Sequence, residues 1–259
     1  MHFFKYKSIF ILITILGIQS SFTQTELENL GENVNSNVDD LAPVITPDGK
    51  TIYFTRNNHP ENQFGAQGTE DVWVTVYDEG TETWSKARNM GKSFNDQKIN
   101  GIQSISPDGN SIMVFGAYEN GEYKGLGFSM RRRTEDGWSP PEEIKINGLR
   151  SLVQGVYLGA YMANSGKVMI LYFSERPNDK NNDLYVSFKQ DDGTWTLPKN
   201  LGRRVNSNRS DSSPFIASDN TTLYFASDRP GGKGGFDIYQ TKRLDDSWLS
   251  WSVPQNLGE

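Results

Sequence analysis

The sequence predicts an all-β protein, a β-propeller built from four four-stranded antiparallel blades. Three observations predict it: a fixed-period repeat, an unbroken apolar run at the same place in every repeat, and the turn residues that bound those runs. Asn-Leu-Gly stands at 29–31, 200–202 and 256–258, with Asn89-Met90-Gly91 as a close variant and Ile146-Asn147-Gly148 as a degraded one. The glycines of these motifs (31, 91, 148, 202, 258) lie 60, 57, 54 and 56 residues apart, and Trp84, Trp138, Trp195 and Trp251 keep time with them at steps of 54, 57 and 56. Self-similarity of this kind marks a repeat architecture. The apolar runs are Ile52-Tyr53-Phe54, Ile112-Met113-Val114-Phe115, Met169-Ile170-Leu171-Tyr172-Phe173 and Leu223-Tyr224-Phe225. Because they do not alternate with polar residues, both faces of these strands must be covered. Radially stacked sheets provide that cover, each blade lying between two others.

The chain begins with a segment of another kind. His2, Lys5 and Lys7 precede the apolar run Ser8 to Ile18, too short to span a bilayer but suited to a secretory leader. Ser21 and Thr23 fit the small-residue cleavage positions, so residues 1–23 are expected to be a signal peptide and Gln24 the mature start. No cysteine follows to accept a lipid, and with none in the chain there are no disulfides, thiolate metal sites or cysteine nucleophiles. Lys5 and Lys7 leave with the leader, taking 26 basic residues to 24 against 32 acidic, a balance of −8. Such a surface repels phosphate backbones, and the short cluster Arg131-Arg132-Arg133 does not reverse it, so nucleic acid is excluded as a partner.

The array occupies residues 24–259, with units at about 32–91, 92–148, 149–202 and 203–258. Residues 24–33 are a polar lead-in. Unit one predicts strands at 42–46, 51–55, 71–77 and 83–88; unit two at 101–106, 111–116, 125–132 and from Trp138 onward. Unit three predicts 156–163, 167–173, 183–188 and 194–198; unit four predicts 213–217, 222–226, 237–241 and 250–253. Each run is short, rich in β-branched and aromatic residues, and bounded by Pro, Gly, Asn or Asp. No helix is expected. Pro47-Asp48-Gly49 and Pro107-Asp108-Gly109 suit the bend before the second strand, proline presetting φ and glycine tolerating φ > 0; Ser165-Gly166 and Asp219-Asn220 recur weakly there. Asp71, Asp183 and Asp237 open the third strands, where a carboxylate can accept hydrogen bonds from a turn or an adjacent blade. The tryptophans are expected to pack between blades.

Pro-Asp-Gly, the apolar triplet, Arg229-Pro230-Gly231-Gly232, Phe236-Asp237-Ile238-Tyr239, Trp, Pro and Asn-Leu-Gly together resemble the WD-like repeat of TolB-type envelope β-propellers. They are most similar to the propeller region of bacterial OmpA-family envelope proteins, over residues 29–258. Unit four carries the pattern best. Unit two departs from it, with Ala117-Tyr118-Glu119-Asn120 in the turn and Gly125 for the strand-opening aspartate. The resemblance implies a cell-envelope protein, in the periplasm or associated with the outer membrane. The family's peptidoglycan-binding OmpA-like domain has no counterpart in these residues, so membrane association would come only through a missing domain or a partner. The expectation is a fragment of a longer reading frame, with a minimal four-bladed ring as the alternative.

Chemistry is sought against that background. His59 is the one histidine outside the leader, in a polar loop, and no Gly-x-Ser-x-Gly elbow accompanies it. Gly231 to Gly235 leads into a strand where a phosphate loop needs a helix. No cofactor or metal is expected. The enzymatic alternative is a secreted sialidase-like glycoside hydrolase, in which Arg56, Arg176 and Arg229, from similar turns of three units, would gather around a carboxylate substrate. Arginines in repeated turns more often brace loops. The expectation is therefore a non-enzymatic interaction module whose second-to-third-strand loops (56–69, 117–124, 175–182, 227–235) share one face with the blade-joining loops around Asn35, Asn95 and Asn206. Candidate contact residues are Arg56, Asn57, His59, Arg176, Asp179, Asp228, Arg229 and Lys233, and the expected partner is an envelope protein or glycan.

Overall fold

The computed structural model describes residues 29–258; the leader and the first residues of the lead-in lie outside them. Four antiparallel sheets follow one another along the chain as the blades of a β-propeller. Blade one comprises Asp40–Ile45, Thr51–Asn57, Glu70–Asp78 and a fourth strand in two pieces, Thr83–Trp84 and Arg88–Asn89. Blade two comprises Ile102–Ile105, Ser111–Glu119, Glu122–Thr134 and the pieces Gly137–Trp138 and Glu142–Glu143. Blade three comprises Leu158–Met162, Val168–Phe173, Asp183–Phe188 and Lys199–Asn200; blade four comprises Asp211–Ile216, Thr222–Ser227, Asp237–Lys242 and Gln255–Asn256. The first strands stand side by side around a hub cavity of about 450 Å³, lined by Val44, Ile45, Ile105, Tyr161, Tyr172 and Phe215 among others.

The apolar second strands are the covered ones, as their composition requires. Ile112, Met113, Met169, Ile170, Leu171 and Leu223 are fully buried. Alternate side chains go to opposite neighbours: Ile170 joins Leu184, Val186, Leu223 and Trp251 between blades three and four, while Met169 and Leu171 join Met113, Phe128 and Trp195 between blades two and three. Tyr53, Val72 and Val74 meet Phe94, Ile112 and Val114 between blades one and two. Trp138, Trp195 and Trp251 pack on these clusters, the last two deep in their seams, whereas Trp84, also expected between blades, packs on Val34, Ile52, Phe54 and Trp73 on the other face of blade one.

Each tryptophan also announces a second device. The next residue is Ser85, Ser139, Thr196 or Ser252, and its hydroxyl accepts a third-strand amide, from Val76 (3.0 Å), Arg132 (3.0 Å), Phe188 (3.0 Å) and Lys242 (2.9 Å) respectively. The fourth strand breaks here, ahead of Pro140, Pro198 and Pro254 in three of the units, and the hydroxyl fills the gap in the ladder. The second-strand bends use positive φ as expected, at Gly49 (72°), Gly109 (70°), Gly166 (64°) and Asn220 (56°).

Three expectations are corrected. The fourth strands of blades three and four pair at Lys199–Asn200 and Gln255–Asn256, past the expected 194–198 and 250–253, where Trp195 and Trp251 form only isolated bridges. Residues 117–124 are not an open loop: the second and third strands of blade two run on to Glu119 and from Glu122, closed by Asn120-Gly121 at φ 53° and 80°. Asn-Gly is the favoured pair for a two-residue hairpin turn with positive φ at both positions. A four-residue helix, Leu149–Leu152, stands where none was expected. Every blade-joining segment makes the same tight turn onto its glycine, with Asn35, Asn95 and Asn206 amides donating to Gly31, Gly91 and Gly202 carbonyls. After Gly148 the turn continues far enough to become a helix, and Leu149 buries itself between blades two and three.

Candidate binding face

Second-to-third-strand loops and blade-joining loops emerge at one end of the blades, and the candidate residues occupy it in two different ways. Arg56 is buried: its Nε meets Asp40 Oδ1 at 2.8 Å, its Nη2 donates to the Val34 carbonyl at 2.6 Å, and its guanidinium lies over Trp73, 4.3 Å from the ring centroid. Arg229 repeats the arrangement in blade four. Its Nη2 donates to Asp211 Oδ1 at 2.7 Å and to the Val205 carbonyl at 2.6 Å, with Tyr239 beneath it at 4.6 Å. Both side chains point into the protein and tie a blade-joining loop to the strands below. In blade three Arg176 is exposed instead, paired with Asp179 at 3.2 Å. The structure therefore does not bring the three arginines together as a set of solvent-facing cations.

The other candidates are mostly turn-formers. Asp179 accepts from the Asn181 amide and the Ser174 hydroxyl, both at 3.0 Å, and these bonds, aided by Arg176, hold its carboxyl below the ordinary value. Asp228 accepts the Ser210 amide at 2.8 Å, and the Asn57 amide donates to the Asp39 carbonyl at 3.0 Å. The Lys233 amide donates to Asp237 at 2.8 Å while its side chain stays exposed. His59 stands edge-on to Trp73, ring centroids 4.7 Å apart, and burial, followed by Arg56, depresses its pKa.

The strand-opening aspartates accept hydrogen bonds from turns and neighbouring elements, as their position predicts. Asp71 is fully buried and takes the Gln63 amide (2.7 Å) and the carboxamides of Asn89 (2.8 Å) and Asn100 (3.3 Å). Asp183 has only Asn200 (2.9 Å), and its pKa is raised, chiefly by burial and further by nearby Asp211. A carboxyl whose folded pKa lies above its unfolded one contributes stability at low pH that is lost as pH rises through the folded value. Asp183→Asn keeps the acceptor and removes the charge. The variant is expected to melt above the wild type at pH 7 and to lose that advantage on acidification, as measured by thermal unfolding across the pH range.

A signal missed in the sequence is aromatic. Phe64, Tyr123, Tyr157 and Phe236 are large and exposed, one from each blade, in or beside the loops of this same face. Tyr157 follows the segment in which Val156 donates to the Asp179 carbonyl, so it flanks the blade-three loop. Phe64 and Phe236 sit in glycine-containing loops, where periodicity offers no clue to exposure, while Tyr123 and Tyr157 stand at the beginnings of strands. Among the described residues no group of three or more His, Cys, Asp or Glu is placed to hold a metal.

No protein-family model matches the chain, and no curated protein matches it. Solved structures with a similar arrangement include TolB from Acinetobacter baumannii, at 17% identity and TM-score 0.44, covering 81% of this chain and 42% of that one. A putative TolB from Agrobacterium tumefaciens aligns at 15% identity and TM-score 0.49, covering 84% and 62%. The Hadza microbial sialidase Hz136 aligns at 15% identity and TM-score 0.42, covering 83% and 45%. The chain thus spans less than two thirds of each of these proteins.

Proposed function

We propose that the chain is a non-enzymatic interaction module of the bacterial cell envelope, exported by its leader, and that the loop face is its contact surface for a protein or glycan. The observation that carries this reading is the fate of Arg56 and Arg229. A glycosidase of the sialidase kind would present such guanidinium groups to its substrate, whereas here both are spent on bracing the fold. What that face offers to solvent is Phe64, Tyr123, Tyr157 and Phe236 among Asn, Gly, Asp and Lys side chains. Rigid aromatics with polar surroundings are favoured contact groups because they bury much area for little conformational entropy.

The test is retention of the purified chain on isolated envelope polysaccharide and on solubilised envelope proteins, alongside a hydrolysis screen on sialosides and aryl glycosides. Retention on one of the two matrices is expected to fall at least tenfold in the Phe64→Ala/Phe236→Ala variant, with melting unchanged because both rings are exposed. Turnover of a glycoside that vanished in Arg229→Lys would overturn the reading.

A further inference from the structure

Independently of the loop face, we propose that the cleft between blades two and three is a binding site for cuprous ion, held by methionine thioethers. In each of the three seams the same four repeat positions meet. They are the third residue of one second strand with its third-strand partner, and the second residue of the next second strand with its first-strand partner. Between blades one and two these are Tyr53 with Val74 and Ile112 with Ile105. Between blades three and four they are Ile170 with Val186 and Leu223 with Ile216. Between blades two and three all four are methionine, Met113 with Met130 and Met169 with Met162. The other two methionines of the chain are Met1 and Met90.

The register brings these sulfurs to one place. Directly opposed residues of an antiparallel pair keep their Cβ atoms about 5 Å apart, and facing sheets stack about 10 Å apart with side chains from both filling the space between. Two opposed methionine pairs, one from each sheet, therefore share a single gap. Met113, Met130 and Met162 line one cavity of about 280 Å³, which opens beside the bends at Pro107 and Gly166, at the far end of the blades from the loop face. Met113 and Met169 are 1% and 0% exposed, while Met130 and Met162 are half-buried, which gives an ion a way in. Trp195 lines the same cavity, where its ring can add a cation–π contact. Every one of these residues belongs to the two inner blades.

Core filling alone does not account for the choice. Aromatic or branched side chains close the same four positions in the other two seams, and a methionine loses more rotamer freedom on burial than a branched residue does. What methionine brings is a polarizable sulfur on an unbranched stem, free to turn toward a shared centre. A thioether is a soft, neutral donor, and soft donors select Cu(I) over the harder divalent ions that prefer oxygen and nitrogen. The charged groups around the cavity do not decide the matter. Arg132 and Lys189 stand there with Glu142 and Glu143, the last paired to Arg150 at 3.0 Å, so both signs are present and the sulfurs set the preference. Because a thioether carries no proton in this range, such a site keeps its affinity on acidification, unlike one built on histidine or carboxylate.

The test is titration of the purified chain with Cu(I), kept reduced under anoxic conditions and competed against a chromophoric Cu(I) chelator. Silver nitrate in chloride-free buffer serves as an air-stable probe of the same coordination chemistry. One ion per chain is expected to bind, with sulfur as the ligand in X-ray absorption spectra. Met130→Leu and Met162→Leu are each expected to weaken binding at least tenfold and the double variant to weaken it further, while Met90→Leu, in another seam, leaves it unchanged. Leucine keeps the volume and apolarity of methionine, so the metal-free variants are expected to melt close to the wild type and a loss of binding is not a loss of folding. Affinity is expected to be the same at about pH 5.5 and about pH 7.5. Several outcomes would overturn the proposal: no binding tighter than to free methionine, undiminished binding in the double variant, or equal competition by Zn²⁺ or Ca²⁺. A steep fall on acidification together with loss in His59→Ala would overturn it too, by assigning the ion to the loop face.

Discussion

Asp211→Ala is expected to destabilise the protein by about 3–5 kcal/mol, the usual cost of removing one partner from a buried ion pair. Asp211 has no exposed side-chain surface, and its two oxygens take the Arg229 guanidinium at 2.7 Å, the Ser207 amide at 2.6 Å and the Ser207 hydroxyl at 3.0 Å. Alanine leaves Arg229 facing Tyr239 and Phe225 with no counter-charge, and leaves the Ser207 amide without its acceptor. The blade-joining loop at 203–210 then loses its tether to the strand beneath. Urea unfolding measures the loss, and Arg229→Met in the same background is expected to recover part of it, since the stranded cation goes too. Asp40→Ala, the equivalent change in blade one, is expected to cost less, because Asp40 is 19% exposed and water can replace it at Arg56.

Leu184→Ala is expected to cost about 2–5 kcal/mol, the range for a large-to-small change in a packed core. Leu184 sits at the centre of the seam between blades three and four, against Ile170, Val186 and Leu201 from its own blade and Leu223, Phe225 and Trp251 from the next. The seam is rigid on both sides, so the cavity cannot collapse. Ile238→Ala removes a side chain of similar size from the same repeat position and, at 49% exposure, is expected to change stability by less than about 0.5 kcal/mol, as solvent-facing substitutions do. The pair of measurements, made by denaturant titration under dilute conditions, separates the energetics of a filled seam from those of the identical strand left bare. Equal losses at the two positions would show that blade four is covered within its own chain.

The features that set the architecture are those a linear sequence records directly. Period, unbroken apolar strands and Pro-Asp-Gly bends are local facts, and the blades appear where those facts place them. What escaped was of two kinds. Asn120-Gly121 carries a local hairpin signal, set at the repeat position where the other units have longer loops, so the repeat and the local turn point to different structures there. The direction of an arginine is not readable at all: Arg56 lies near the end of one second strand and Arg176 and Arg229 just past the same strand in two other blades, yet two turn inward because Asp40 and Asp211 wait sixteen and eighteen residues upstream, while Arg176 has only its own loop neighbour Asp179. The exposure of Phe64 and Phe236 likewise depends on loop paths that no spacing encodes. Tertiary partners decide such side chains, and the candidate face was legible as a set of loops rather than as a set of contacts.

The first strands have a further consequence for how the chain behaves in company. Each turns one unpaired edge toward the hub, and an unpaired edge is a template on which foreign strands can grow. In blades one and four that edge is interrupted at Ala42-Pro43 and Ser213-Pro214, where the register shifts, φ turns positive at 47° and 48°, and proline removes a donor. In blade three the edge amide of Ala160 is capped by the Gln103 carboxamide of the neighbouring blade at 3.0 Å. The axis of the molecule is thereby made inhospitable to fibril-type pairing, a safeguard of particular value to a chain with so much β-prone sequence and no disulfide to hold it shut.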